Sequence, residues 1–121
     1  MQKTHLQCRE CKKEYDPTFK YICDECFGPL DVHYNFPSLT KNTFVNREQT
    51  YWRYFELLPI TDKSNIVSIN AGMTPLVKAE KLGKEIGLNN LYIKNDSVNP
   101  TFSFKDRPAG VAVSKAKEFG L

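Results

Sequence analysis

Long apolar runs are missing from this chain: nothing approaches the roughly 20 residues that a helix needs to span a bilayer. The opening Met1-Gln2-Lys3-Thr4-His5 lacks the apolar core of a secretion signal. Together these absences make the cytoplasm the expected compartment. Charge of one sign is scarce too. Seventeen Lys and Arg against 14 Asp and Glu leave a net charge of +3, too weak a field to argue for nucleic acid or an anionic membrane. Internal repeats and low-complexity segments are absent, and so is any cysteine after Cys26. What remains is an ordinary globular composition, 40% hydrophobic and 26% charged over 121 residues. That length suits one small domain, or one small domain and part of another.

Three parts are expected. Residues 1–34 carry the cysteines and short strands; Phe19–Ile22 supplies hairpin strand, and Leu30, Val32 and Tyr34 alternate with Asp31 and His33 as in a half-buried strand after a Gly28-Pro29 turn. Residues 35–70 form a connector with its own helix, marked by Tyr51, Trp52, Phe55 and Leu58 and stopped by Pro59. Its aromatic bulk is expected to cover another surface. Residues 71–121 read as strand (Leu76-Val77), helix (Ala79, Leu82, Ile86, closed by Gly87), strand (Leu91 to Ile93) and helix (Ala109, Ala112, Val113 and Ala116 on one face, closed by Gly120). This alternation argues for α/β architecture with a parallel sheet. Two strands leave such a sheet incomplete, so a fragment of a larger domain is expected.

The cysteines are spaced as two Cys-x2-Cys pairs, Cys8 with Cys11 and Cys23 with Cys26, separated by eleven residues. In a reducing compartment clustered thiols point to metal or redox work. Two such turns brought together by a hairpin give the four-sulfur tetrahedral set of a closed, structural zinc site, a zinc-ribbon-like module. An iron–sulfur or redox role suits the spacing less well, and unliganded structural cysteines are the bland alternative. Glycine is usual just after each pair; here Lys12 and Phe27 stand there. His5 and His33 are expected to be plain strand or surface residues, because four sulfurs already fill the site.

The densest chemistry lies in Asn99-Pro100-Thr101-Phe102-Ser103-Phe104-Lys105-Asp106-Arg107. A polar turn there delivers one lysine to the start of a helix, with Ser103 expected as N-cap and Asp106 as its capping-box acid. The positive end of the helix dipole, with partial desolvation, favours the neutral amine that attacks carbonyl carbon. Physics alone favours the bland alternative, a solvated charge cluster at a helix start.

Asn99 to Arg107 resembles the lysine loop of the tryptophan synthase β-type pyridoxal-phosphate enzymes, in the form seen in threonine synthases. Gly72-Met73-Thr74-Pro75-Leu76 is similar to that family's Gly-Asn-Thr-Pro-Leu turn, and Leu91 to Asp96 to the strand and acidic residue before its lysine loop. The paired cysteines and Gly28 to Val32 resemble the ribbon-like extension of many such enzymes. This chain departs from the pattern at Phe102, where glycine is usual, at Pro108, where a small residue is usual, at Met73 for asparagine and at Asp96 for glutamate.

The resemblance implies a zinc-ribbon-like module at 1–34, a connector at 35–70, and at 71–121 the start of a fold-type-II domain. It makes Lys105 the catalytic and cofactor-bearing lysine, places Phe104 against the pyridoxal phosphate ring, and gives Cys8, Cys11, Cys23 and Cys26 to structural zinc. Ser103 and Asp106 would support the loop; Thr101 and Arg107 are candidates for an anionic substrate group, with salt bridging the alternative for Arg107. The implied reaction converts O-phospho-homoserine and water to threonine and phosphate. Implied partners are that small molecule and, for the full enzyme, a second copy in a homodimer, with neither nucleic acid nor membrane. The phosphate cradle would lie past Leu121, leaving these residues inactive alone. A related lyase or synthase acting on phosphoserine or free threonine, and a free-standing zinc-ribbon binding module, are the competing readings.

Overall fold

The computed structural model describes residues 4–121; Met1 to Lys3, the start of the expected N-terminal part, lie outside the described residues. Strand β1 (Thr4–Cys8) is central in a three-stranded antiparallel sheet, flanked by β2 (Glu14–Tyr15) and β3 (Leu30–Tyr34). In β1 every second side chain, Thr4, Leu6 and Cys8, is buried, the period of two that one covered face imposes. Leu6 stands opposite Tyr15 on one side and Val32 on the other. The alternation expected in β3 does not become burial: Val32 is 45% exposed, because β3 is an edge strand with one neighbour. Phe19–Ile22 is not a strand. The chain there makes tight turns, Thr18 N–H to Asp16 O and Lys20 N–H to Thr18 O, and only Ile22 bridges, to Pro29.

Between the cysteine sheet and the second half lie α1 (Asn42–Val45) and a 3-10 helix at Tyr51–Leu57. The helix expected around Tyr51 to Leu58 is thus of the tighter kind, kinked at Tyr54. Arg47 forks onto Glu56 at 2.6 and 2.7 Å and also donates to the Arg53 carbonyl at 2.7 Å. These bonds tie the two short helices together. Downstream the connector is stitched along α3 (Asp106–Glu118). Glu118 accepts from the amides of Thr61 and Asp62, Ser114 Oγ accepts from the Val67 amide, and Lys117 donates to the Ser64 carbonyl. Gly110 lets Ile69 and Trp52 approach the helix to about the distance of ordinary contact, 3.6 and 4.0 Å from where a β-carbon would stand.

Strand β4 (Leu76–Lys78), helix α2 (Glu80–Glu85) and strand β5 (Tyr92–Lys94) follow the expected order. The expected parallel pairing is wrong: β4 and β5 run antiparallel, Leu76 opposite Lys94 and Lys78 opposite Tyr92. With six residues, α2 is too short to carry the chain back along the sheet. The Ala79 amide instead bonds to the Leu91 carbonyl, closing the excursion at its base as a wide hairpin. The last helix also turns differently from its apolar pattern. Its buried positions are Asp106, Gly110 and Ser114, whereas Ala109, Ala112 and Val113 face outward. Polar contacts to the connector decide the rotation. Pro108 costs α3 nothing, since it occupies the first turn, where no amide has an intrahelical partner.

Helix α2 ends as its sequence anticipates. Gly87 takes φ of +73° and the Leu88 amide returns to the Gly83 carbonyl at 2.8 Å, the six-to-one bond of a Schellman ending. That return places the Leu88 carbonyl 2.4 Å from where a β-carbon on Gly83 would stand. Glycine to alanine inside a helix ordinarily gains about 0.5–1 kcal/mol. At Gly83 the sign should reverse. We expect Gly83→Ala to lower stability in urea denaturation by about 1–3 kcal/mol, the usual range for overpacking; a stabilised variant would contradict this closure.

Candidate functional site

Among the described residues, buried polar side chains are prominent: Thr4, Thr74, Asn99, Asp106 and Ser114, beside the apolar Leu6, Cys8, Cys23 and Ile60. Three of the five polar ones hold the lysine loop. A buried polar group must be hydrogen-bonded or it costs about 1–3 kcal/mol. Asn99 Oδ1 accepts from the Gly72 amide at 2.9 Å while its Nδ2 donates to the Asp96 carbonyl at 3.0 Å. Asp106 accepts from both the amide and the hydroxyl of Thr101, at 2.8 and 2.5 Å. Thr74 Oγ1 donates to Asp96 Oδ1 at 2.6 Å and accepts from Arg107 Nη2 at 3.1 Å.

Arg107 closes the set. Its two terminal nitrogens fork onto Asp96 at 2.5 and 2.8 Å; Lys94 adds a bond to the Thr74 carbonyl. A planar guanidinium suits such a two-oxygen grip in a way an ammonium cannot. Of the alternatives open for Arg107, the structure shows the salt bridge. The Arg107 guanidinium, then the Thr74 hydroxyl, holds the Asp96 carboxyl down at about 2, against an ordinary 3.8. A carboxyl depressed on folding stabilises the fold above its unfolded value. That contribution is whole above about pH 4 and fades as pH falls through 2.

These contacts clamp the Gly72–Thr74 turn to the 94–107 loop and fix the start of α3. Lys105 occupies the N-cap position, with Ser103 Oγ accepting from its amide at 3.2 Å. The expected order of Ser103 as N-cap is therefore shifted by two residues, and Asp106 serves Thr101 instead of a capping box. The Lys105 side chain is exposed, so the expected partial desolvation is not found here; its position at the helix start is. Among the described residues the Lys105 amine has no hydrogen-bond or ion-pair partner, whereas Lys94 and Lys115 are bonded to Thr74 and Glu118. Phe104 beside it is 63% exposed. A free primary amine and an uncommitted aromatic ring fit an aldehyde-bearing aromatic cofactor.

The four cysteines also converge. Their sulfurs all lie within 4.8 Å of one another, with Cys8 to Cys26 at 3.4 Å and Cys11 to Cys23 at 3.5 Å. A tetrahedral site with bonds near 2.3 Å separates its sulfurs by about 3.8 Å, so this donor set fits a zinc-sized ion. The two pairs share one backbone form: the Lys12 amide bonds to Cys8 O and the Phe27 amide to Cys23 O, and Lys12 and Phe27 take φ of 64° and 57°. Gly28 leaves room that a β-carbon would fill, 3.1 Å from Cys8 Sγ. Tyr15 donation, foremost, brings the Cys23 thiol down to about 6. Cys11, although the Lys13 amide pulls it down, is pushed up to about 12 by loss of water and the neighbouring thiols.

Sequence reading found the lysine loop and the sulfur set but missed the work of Thr74, Asn99 and Tyr15. For the first two, the available signal was a run of hydrogen-bonding side chains around Pro75 and Pro100, where the backbone leaves ladder partners unmade. Phe102 is a further case. It takes φ of +58°, the left-handed region that favours glycine, and its ring is 80% exposed. We expect Phe102→Gly to raise stability by about 1 kcal/mol, the strain released less the added chain entropy. Phe102→Ala, which keeps the β-carbon, should gain nothing. Urea denaturation checks both, and a Phe102→Gly variant no more stable than Phe102→Ala would contradict the strain.

Residues 67–120 match the family described as pyridoxal-phosphate dependent enzyme. The threonine synthase of Methanocaldococcus jannaschii is 42% identical over 120 residues, covering 95% of this chain and 29% of that protein. That of Methanosarcina acetivorans is 40% identical over 120 residues, 97% of this chain and 29% of the relative. That of Halalkalibacterium halodurans is 46% identical over 67 residues, 55% and 19%. The chain thus spans under a third of the length of these relatives. No solved structure matches it. No helix among the described residues is long and apolar enough to cross a membrane. The lysine loop lies inside the span that matches the pyridoxal-phosphate dependent enzymes, and the chain is similar to threonine synthases along nearly all its length.

Proposed function

We propose that this chain is the N-terminal part of a threonine synthase, which converts O-phospho-homoserine and water to threonine and phosphate. The observation that carries the reading is the free amine of Lys105, set at the head of α3 on a loop clamped by Asp96, Arg107, Thr74 and Asn99. Lys105 would hold pyridoxal phosphate covalently and Phe104 would lie against its ring. When bound, that cofactor supplies the electron sink for charge at the substrate α carbon. The Lys105 amine would take a proton from the substrate α carbon and return one at the β carbon. Asp96 and Arg107 orient the loop and are committed to each other, so the substrate phosphate would be met by other residues.

Residues 1–34 are proposed as a zinc-ribbon-like module in which Cys8, Cys11, Cys23 and Cys26 hold a structural zinc. Four sulfurs leave no open position, so this metal would bind the knuckles together and take no part in the reaction. Residues 35–70 are proposed as the connector and 71–121 as the start of the cofactor domain. Outward-facing Leu76, Val77, Leu82, Ile86, Tyr92, Ile93 and Val113 support that last division, since an exposed apolar surface of this extent usually meets more protein. The full enzyme is proposed as a cytoplasmic homodimer without nucleic-acid or membrane partners.

Borohydride reduction of the full-length enzyme with its cofactor, followed by digestion, locates the lysine. The label is expected on Lys105 and should vanish in Lys105→Ala. Stable labelling of Lys94 or Lys115 in its place would overturn the assignment.

A further inference from the structure

Tyr15 ends β2 opposite Leu6, and its hydroxyl lies 3.0 Å from Cys23 Sγ. The same hydroxyl oxygen accepts the Asp24 amide at 3.1 Å. A phenol has one proton. With the amide donating into an oxygen lone pair, that proton is left for the sulfur. The reverse bond, from thiol to phenol, would need Cys23 to stay protonated, which a metal ligand does not.

The ring has little freedom to turn away. Lys20 and Lys13 lie against it, 4.9 and 5.6 Å from its centre. Both are anchored in the second knuckle, Lys20 on Asp24 and Lys13 on Glu25. Cys23 is fully buried, and the Glu25 amide donates to its sulfur at 3.4 Å. The equivalent sulfur of the first knuckle, Cys8, is met by backbone amides and by Cys26 but by no hydroxyl among the described residues. The two knuckles share their backbone, so the hydroxyl is an addition to one of them.

From this geometry we propose that Tyr15 is a positioning residue for the metal: its hydroxyl donates to the Cys23 thiolate, fixes the direction of its lone pairs and lowers its electron donation. The inference rests on the reading of the four cysteines as a metal site. Partners of this outer kind commonly change metal affinity by about 10–100-fold.

The test uses the 121-residue chain, stripped of metal and titrated with cobalt(II) in competition with zinc, at neutral pH. Tyr15→Phe removes the hydroxyl and keeps the ring; Tyr21→Phe, at an exposed tyrosine, is the control. The starting chain and Tyr21→Phe should each take up one cobalt with the visible bands of tetrahedral sulfur ligation. Tyr15→Phe should bind roughly 10–100-fold more weakly, and its sulfur-to-cobalt charge-transfer band should move to lower energy. Unchanged affinity and band position in Tyr15→Phe would overturn the role of Tyr15 while leaving the metal site standing. No cobalt uptake by the starting chain would remove the metal reading, and this inference with it. If Tyr15→Phe fails to fold, a tyrosine fluorinated next to its hydroxyl, placed at position 15, is a stronger donor of nearly the same size. It should move the band to higher energy, and an unmoved band would overturn the proposal.

Discussion

The forked ion pair between Arg107 and Asp96 is the contact on which the lysine loop depends. It joins the first turn of α3 to the short helical turn after β5, and through Thr74 it reaches the turn before β4. Three separate segments thereby converge on one partly buried carboxylate. Removing either charge would strand the other beside the Thr74 hydroxyl, and breaking a pair by one partner costs more than the pair contributes. Asn99 and Asp106 then satisfy the amides of Gly72 and Thr101, which no strand or helix could reach. Lys105 contributes no contact to this framework. Its amine is left free because its neighbours bear the structure.

A second constraint is backbone strain carried by residues other than glycine. Lys12, Phe27, Met73 and Phe102 all take φ near +50 to +65°. Two follow the cysteine pairs, one lies in the turn before β4, and one lies in the lysine loop. A left-handed residue with a β-carbon persists only where its surroundings over-determine it. Here those surroundings are the knuckle hydrogen bonds and the polar clamp. Each of these four residues holds a left-handed backbone despite its β-carbon, at a cost in stability.

Much of this was legible in the residues. The doubled Cys-x2-Cys spacing anticipated four converging sulfurs, and Gly87 and Gly120 marked left-handed endings. The short strands at Leu76 and Tyr92 were placed to within a residue. What pattern reading could not supply was direction. Alternating strand and helix suggests parallel pairing only when the helix is long enough to cross, and a six-residue α2 is not. Ala109, Ala112 and Val113 form an apolar face, yet Ser114 and Glu118 turn the opposite side of α3 toward the connector, because amides of Thr61 and Val67 need acceptors. Long-range polar partners of this kind leave no periodic trace. Tyr15 escaped notice for the same reason: a hydroxyl eight residues from its sulfur carries no spacing rule.

Amide hydrogen exchange at Gly72 and Thr101 tests the clamp most directly. Both residues lie outside regular strand and helix, and their amides have only the side chains of Asn99 and Asp106 as acceptors. Exchange at pH 7 should be slowed at both sites, as in hydrogen-bonded structure, and Arg107→Lys should speed it by loosening the fork on Asp96. Exchange at the rate of free peptide in the unaltered chain, or protection indifferent to Arg107→Lys, would show that the lysine loop is held by something other than this ion pair.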